Sequence, residues 1–287
     1  MSDSIKKSSP AADAWHVLKQ SKSAMLGLII IVFLFLLALG GKLILPHDPY
    51  IGSMAENFQP PSAAHWMGTD ELGRDILSRI IDGTRISLRV GIVSVLAALV
   101  VGTALGATAA YYGKRVDMII MRFMDMMLAI PDILLAIAIM AALGPGIDKA
   151  IIAISFVTIP QYARIVRGCV LSVKESDYIA AARLVGNKDW RIIARHILPN
   201  VASAIIVRST LGISSAILDA AALGFLGLGV QPPYAEWGTM LGSGRLYIFN
   251  APYIVVFPGL AITITVLAFN LFGDGLRDAL DPKGKIR

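Results

Sequence analysis

The sequence predicts an all-α, polytopic membrane protein with six transmembrane helices. Three observations carry this. The 287 residues are 56% hydrophobic and only 16% charged, with a mean hydropathy of +0.68, whereas soluble domains carry about 25% charge. Several apolar windows reach the ~20 residues that cross a hydrocarbon core. These windows are continuous, not alternating, which points to helices and away from a closed β-barrel.

The elements follow in chain order. Residues 1–23 form a charged N-terminal segment, with Lys6, Lys7, Lys19 and Lys22. The first span, 24–45, is read as a retained helix, because Ala24–Gly41 is uncharged and longer than a typical signal core. Ala38-Leu39-Gly40 bears a faint likeness to a cleavage site. An outer loop occupies 46–89. A core domain, 90–273, holds five further spans. These lie at about 90–112, 117–143 (interrupted by Asp125, Pro131 and Asp132), 149–170 (with Pro160 and Arg164), 201–228 (with Arg208 and Asp219) and 252–273 (bent near Pro258). Residues 274–287 form the tail.

Orientation follows from Lys and Arg. With both termini inside, sixteen basic residues fall on the cytoplasmic side and seven outside, as the positive-inside rule requires. The net charge of +6 is thus spread between spans, not gathered on one soluble face, and this excludes a nucleic-acid reading. The one cysteine, Cys169, has no partner. His16, His47, His65 and His196 are scattered without an HExxH-type pair, so no metal site is expected.

The outer loop has two halves. Pro46, Pro49, Pro60 and Pro61 make the first irregular. In the second, Gly73–Leu88, Ile76, Leu77, Ile80 and Ile81 recur at helical spacing, with Arg74, Asp75, Arg79 and Asp82 between them. This describes an amphipathic helix, either lying on the outer membrane surface or packed on the other spans. The second span is rich in small residues, and Gly102 with Gly106 forms a GxxxG pair suited to close helix packing.

Residues 172–199 form a polar insertion between two spans on the cytoplasmic side. Ser172 and Glu175 have capping-box spacing. Tyr178, Ala181, Ala182 and Val185 share a helical face, and Gly186 suits a left-handed helix end. Asn187 is placed to cap a second helix, along which Trp190, Ile193 and Ile197 continue the apolar face until Pro199 closes the unit. Two short helices joined by a tight turn are expected. Physically, such an element either transmits the motion of a soluble ATPase or lies as an amphipathic loop on the inner lipid surface.

The segment resembles the EAA loop of binding-protein-dependent ABC importer permeases: Glu-Ala-Ala, three residues, Gly, nine residues, then Ile-x-Leu-Pro. The matching positions are Ala180, Ala181, Ala182, Gly186, His196, Leu198 and Pro199, with Ala180 in place of Glu and His196 in place of the first Ile. Residues 68–88, 117–136 and 223–241 are similar to the dipeptide, oligopeptide and nickel branch, and most of all to C-type subunits of dipeptide permeases. Ala220 stands where that branch often has Glu. The resemblance, from about residue 12 onward, implies a type I ABC importer permease fold in the bacterial cytoplasmic (inner) membrane. It also implies a second, related permease subunit, two ATPase subunits docked on Ala180, Ala181, Ala182, Gly186, Leu198 and Pro199, and an extracytoplasmic solute-binding protein. ATP and magnesium would act in the ATPases. This chain would bind no cofactor and catalyse no reaction, and it contains no GxxxxGK[ST] loop.

Charges at membrane depth are costly and mark function. Asp125, Asp132, Arg208 and Asp219 are therefore the candidate translocation-pathway residues. Arg122 and Asp125, three apart, can pair with each other. Arg208 and Asp219 lie eleven residues apart on one face, roughly 16 Å, a separation that suits a zwitterionic peptide. Nickel, glutathione and heme-type solutes are served by similar chains. An ion-coupled secondary transporter is the alternative from another class, but no inverted repeat is evident.

Overall fold

The computed structural model describes residues 10–280, and the basic residues Lys6, Lys7, Lys283, Lys285 and Arg287 lie outside them. Helix α1 (Pro10–Gln20) is followed by α2 (Lys22–Gly40), whose first turn is capped by the Ser21 hydroxyl accepting the Ala24 amide at 3.3 Å. Then come α3 (Ile76–Tyr112), α4 (Lys114–Leu128), α5 (Asp132–Leu143) and α6 (Ile147–Val173). The insertion between α6 and α9 holds α7 (Asp177–Leu184) and α8 (Asp189–Ile192). The chain ends with α9 (Leu198–Phe225), α10 (Trp237–Gly244) and α11 (Tyr253–Leu280).

Among the described residues, five helices are long and apolar enough to cross a membrane, and a sixth crossing arises if α4 and α5 are one broken span. These two are bent by 90° at Ala129–Pro131. Pro131 cannot continue α4, and it sits at the start of α5, where its missing N–H costs nothing. The expected interruption of the third span is thus a sharp corner.

The bundle is built on close backbone approach. A Cβ on Gly102 would lie 2.5 Å from Tyr162 Cβ, and one on Gly106 would lie 2.3 Å from the Ala163 carbonyl oxygen. The GxxxG pair therefore seats α3 directly on α6, and Ala98, Ala107 and Ala110 extend the seam. On the other side, α2 packs along α11 and α3. Its Ala24, fully buried, joins Leu18 of α1 and Ala279 of α11 in one cluster, so the first helix is part of the bundle.

Helix α3 corrects one expectation. Residues 76–88 are not a separate surface helix, and the boundary placed at 89/90 falls inside one unbroken helix of 37 residues. Two of its polar residues, Arg79 and Asp82, are buried by the loop that precedes it. Arg79 Nη1 donates to the Pro49 carbonyl at 2.9 Å, and its Nε faces Asp70 at 3.5 Å. Asp70 also accepts from Arg74 Nε at 2.7 Å, and the Tyr50 hydroxyl donates to Asp82 at 2.5 Å. Burying Arg79 and Asp82 is tolerable only because each has such a partner. Burial and the Asp82 carboxylate together raise the Tyr50 hydroxyl's pKa far above its ordinary value.

Candidate coupling and translocation site

Helix α7 stands on the bundle by one edge and leaves the other free. Ile179 and Ala182 are buried with Ile192 and Ile197 against Ala107 and Ala110 of α3 and Val166 and Val170 of α6. Ala180 and Ala181 are exposed, as are Leu184 (89%) and Val185 (83%). The apolar face read from the sequence is therefore divided: Ala182 turns inward, while Tyr178, Ala181 and Val185 turn outward. Trp190 is likewise exposed, and Ile192, not Trp190, shares the buried face with Ile197.

The end of α7 is closed by paired backbone bonds. Gly186 adopts φ +83°, Gly186 N donates to Arg183 O at 2.9 Å and Asn187 N to Ala182 O at 3.3 Å. This is the Schellman arrangement. Asn187 does not cap α8; its Nδ2 donates back to Ala182 O at 3.1 Å, while Lys188 precedes α8. No capping box forms at Ser172, whose hydroxyl donates to the Cys169 carbonyl inside α6. Pro199 does not close the unit either. It lies in the first turn of α9, and α8 enters α9 through a π-helical turn, Ile193–Ile197. The second short helix is thus the leading end of the helix that continues as α9.

Two tethers fix this insertion to α3. The Tyr111 hydroxyl donates to Asp189 Oδ1 at 2.8 Å beneath the Arg183 guanidinium, and Lys174 Nζ donates to Ala110 O at 3.0 Å. Close by, Arg167 of α6 forms a bidentate pair with Asp117 of α4 at 2.5 and 2.6 Å.

Of the four membrane-depth charges, the structure links Asp132 and Arg208. Gln161 Nε2 donates to Asp132 Oδ2 at 2.8 Å, and Gln161 Oε1 accepts from Arg208 Nη2. The chain runs from the start of α5, across α6, to α9. Arg208 also lies 5.9 Å above the Tyr162 ring and lines a cavity of about 670 Å³ between α6, α9 and α11, together with Cys169, Asn200 and Arg277. Asp219 lies about three turns along α9 from Arg208. Asp125 stands apart. It pairs with Arg164 of α6 at 2.7 Å on an exposed face, not with Arg122. Ala220 is buried in an apolar cluster with Ala216 and Leu223.

Sequence reading missed Gln161, although a polar residue directly after Pro160 inside a span was a visible signal. It also missed that the fold gathers two of the scattered histidines. The His47 and His65 rings have centroids 4.6 Å apart, beside Asp75.

Comparison with known proteins gives a consistent picture. Residues 102–285 match the family described as binding-protein-dependent transport system inner membrane component, and residues 9–61 match the N-terminal membrane domain of oligopeptide transport permease C. The dipeptide transport system permease protein DppC of Alkalihalophilus pseudofirmus is 52% identical, with 96% of this chain and 91% of that protein covered. The di/tripeptide permease protein DppC of Pseudomonas aeruginosa is 48% identical (96% and 93% covered), and the glutathione permease protein GsiD of Pectobacterium atrosepticum is 46% identical (96% and 92%). Among solved structures, a chain of the inward-facing MetNI methionine ABC transporter superposes with a TM-score of 0.59 at 18% identity, covering 72% of this chain and 98% of that one.

Proposed function

The chain belongs to the binding-protein-dependent transport system inner membrane components, the permease subunits of bacterial ABC importers, and on that premise we propose that it forms half of a pore for dipeptides or similarly short peptides. The observation that carries the mechanism is the free edge of α7. Leu184 and Val185 stand almost wholly exposed on a rigid element whose other edge is buried. An exposed apolar edge of this kind fits the groove of a soluble partner, here one of two ATPase subunits.

Closure of the ATPases around ATP and magnesium would push α7 and, through the π-turn, drive α9. Arg208 and Asp219 both ride on α9, so the stroke would move the residues best suited to a peptide's two charged ends. A second, homologous permease subunit would complete the cavity, and an extracytoplasmic binding protein would deliver the solute. The names of the relatives support peptides as cargo. Glutathione, itself a tripeptide, is the second reading, favoured by the 46% identical permease.

The test is ATPase stimulation of the reconstituted complex by its binding protein loaded with dipeptide, with glutathione or with nickel. Stimulation by dipeptide is expected. Stimulation by glutathione alone would move the assignment to the second reading, and stimulation by nickel alone would overturn both.

A further inference from the structure

The outer loop brings together three donors that are distant in sequence. His47 follows the first span, His65 lies eighteen residues on, and Asp75 caps α3 by accepting the Ser78 amide at 2.8 Å through Oδ2. One ligand atom from each of the three lies within 4.8 Å of the others. His65 and Asp75 are buried (6% and 3% exposed), while His47 is open to solvent.

We infer that His47, His65 and Asp75 form a binding site for a divalent transition-metal ion of the zinc class. The hydrogen bond that His47 makes already selects its ligating atom. His47 Nε2 lies 3.0 Å from the Ala64 carbonyl oxygen. A carbonyl only accepts, so Nε2 carries the proton and Nδ1 presents its lone pair. Metal-binding imidazoles are oriented in this way by donating their second N–H to a carbonyl. His65 Nδ1 lies 2.9 Å from Asp75 Oδ1. Neighbouring ligands on a tetrahedral ion, with bonds of about 2.0 Å, stand roughly 3.3 Å apart. The Asp75 carboxylate only accepts, so His65 Nδ1 carries the proton in this pair; an ion would take that proton's place, with the neutral ring holding its proton on Nε2, and would find the two atoms near the required spacing. His47, on an exposed loop, supplies the closing movement, and its exposure leaves an entry path and a fourth position for water.

The donor set decides the metal class. Two imidazoles and one carboxylate suit zinc and its neighbours. Calcium and magnesium require mainly oxygen ligands. Bound there, the ion would pin residues 47 and 65 to the first turn of α3 and hold the loop over the outer end of the bundle. None of these residues belongs to the coupling segment or the membrane-depth charge chain, so the inference stands apart from the transport assignment.

The test compares the detergent-purified full complex carrying wild-type chain with one carrying His47→Gln, both stripped with a chelator and dialysed against zinc. Bound metal is counted by mass spectrometry. The wild-type complex should retain one equivalent more than the variant, with affinity falling at least about tenfold on substitution. Cobalt(II) should give a tetrahedral absorption spectrum in the wild type only. Equal zinc binding by the two complexes, or displacement of the extra equivalent by millimolar calcium, would overturn the proposal. Because His47 is exposed, its substitution leaves the fold intact. The cobalt spectrum of the wild type is a second measurement that needs no variant: an octahedral spectrum, or none, would also overturn the proposal.

Discussion

Asp132 and Arg208 do not touch, yet they are joined by a single residue: Gln161 donates to the acid at 2.8 Å and accepts from the base. An amide, with one donating and one accepting end, satisfies both at once. Gln161→Leu keeps the approximate volume and removes both bonds, leaving two charges without this partner. Hydrogen bonds to charged groups contribute about 1.5–3 kcal/mol to the folded arrangement, and losing both should lower the initial rate of ATP-dependent uptake. Uptake into proteoliposomes, with assembly checked by co-purification, measures this. A wild-type rate would remove the Asp132–Gln161–Arg208 chain from the pathway.

The free edge of α7 predicts a separation of docking from folding. Leu184→Glu or Val185→Glu changes a side chain that is at least 83% exposed, so the permease's own stability should move by less than about 0.5 kcal/mol. Co-purification of the ATPases should nevertheless be lost. Gly186 tests the geometry of the same edge. At φ +83° with no atom within 4 Å of a built Cβ, Gly186→Val meets backbone strain of about 1–2 kcal/mol and no clash. Gly186→Asn, which tolerates this conformation, should retain more ATPase than Gly186→Val. Equal retention by the two would show that the turn's shape does not govern docking.

The spans were legible in the sequence because continuous apolar runs have few alternatives in lipid. The turn at Gly186 was legible because a left-handed helix end requires such a residue there. The continuity of α3 was not. Arg79 and Asp82 interrupt its apolar pattern, and they are accommodated by Pro49, Tyr50 and Asp70 from the preceding loop, which no local period can foretell. Asn187 was misassigned for a similar reason: its amide can serve the helix before it or the one after, and only the finished turn decides. Helical spacing allowed Asp125 to pair with Arg122, whereas Arg164, thirty-nine residues away, reaches it across α4 and α6. Site residues whose partners come from other helices lie beyond what spacing encodes.

Glu236 should make stability depend on pH. Its carboxylate, 2% exposed, accepts the Gly238 and Thr239 amides at 2.9 and 2.8 Å and so caps α10. Burial pushes this carboxyl up, and those amides pull it only partly back. The folded state therefore holds the proton more tightly than the unfolded chain. The resulting stabilisation is fully present below the ordinary glutamate value of about 4.3 and is lost as pH rises towards the raised folded value. Glu236→Gln keeps an accepting oxygen for the cap but has no proton to lose. The melting temperature of the wild type, relative to this variant, should fall as pH rises above about 4.3. A difference that does not vary with pH would show that the cap fully offsets burial.

Two glycines on facing helices should respond to the same substitution with opposite signs. At Gly102, an added methyl would stand 2.5 Å from Tyr162 Cβ and 2.9 Å from the Ile159 carbonyl oxygen. Backbone atoms cannot move aside as a flexible side chain can, so α3 must lift from α6 at a cost of about 1–3 kcal/mol. At Gly168, on α6, the same methyl meets nothing within 4 Å. There only helix propensity acts, and alanine should stabilise by about 0.5–1 kcal/mol. Thermal unfolding in one detergent should give a lower midpoint for Gly102→Ala and a higher one for Gly168→Ala. If Gly102→Ala melted with the wild type, the small-residue seam would not be what holds α3 against α6. If it melted lower but still supported uptake once folded, the seam would serve assembly alone.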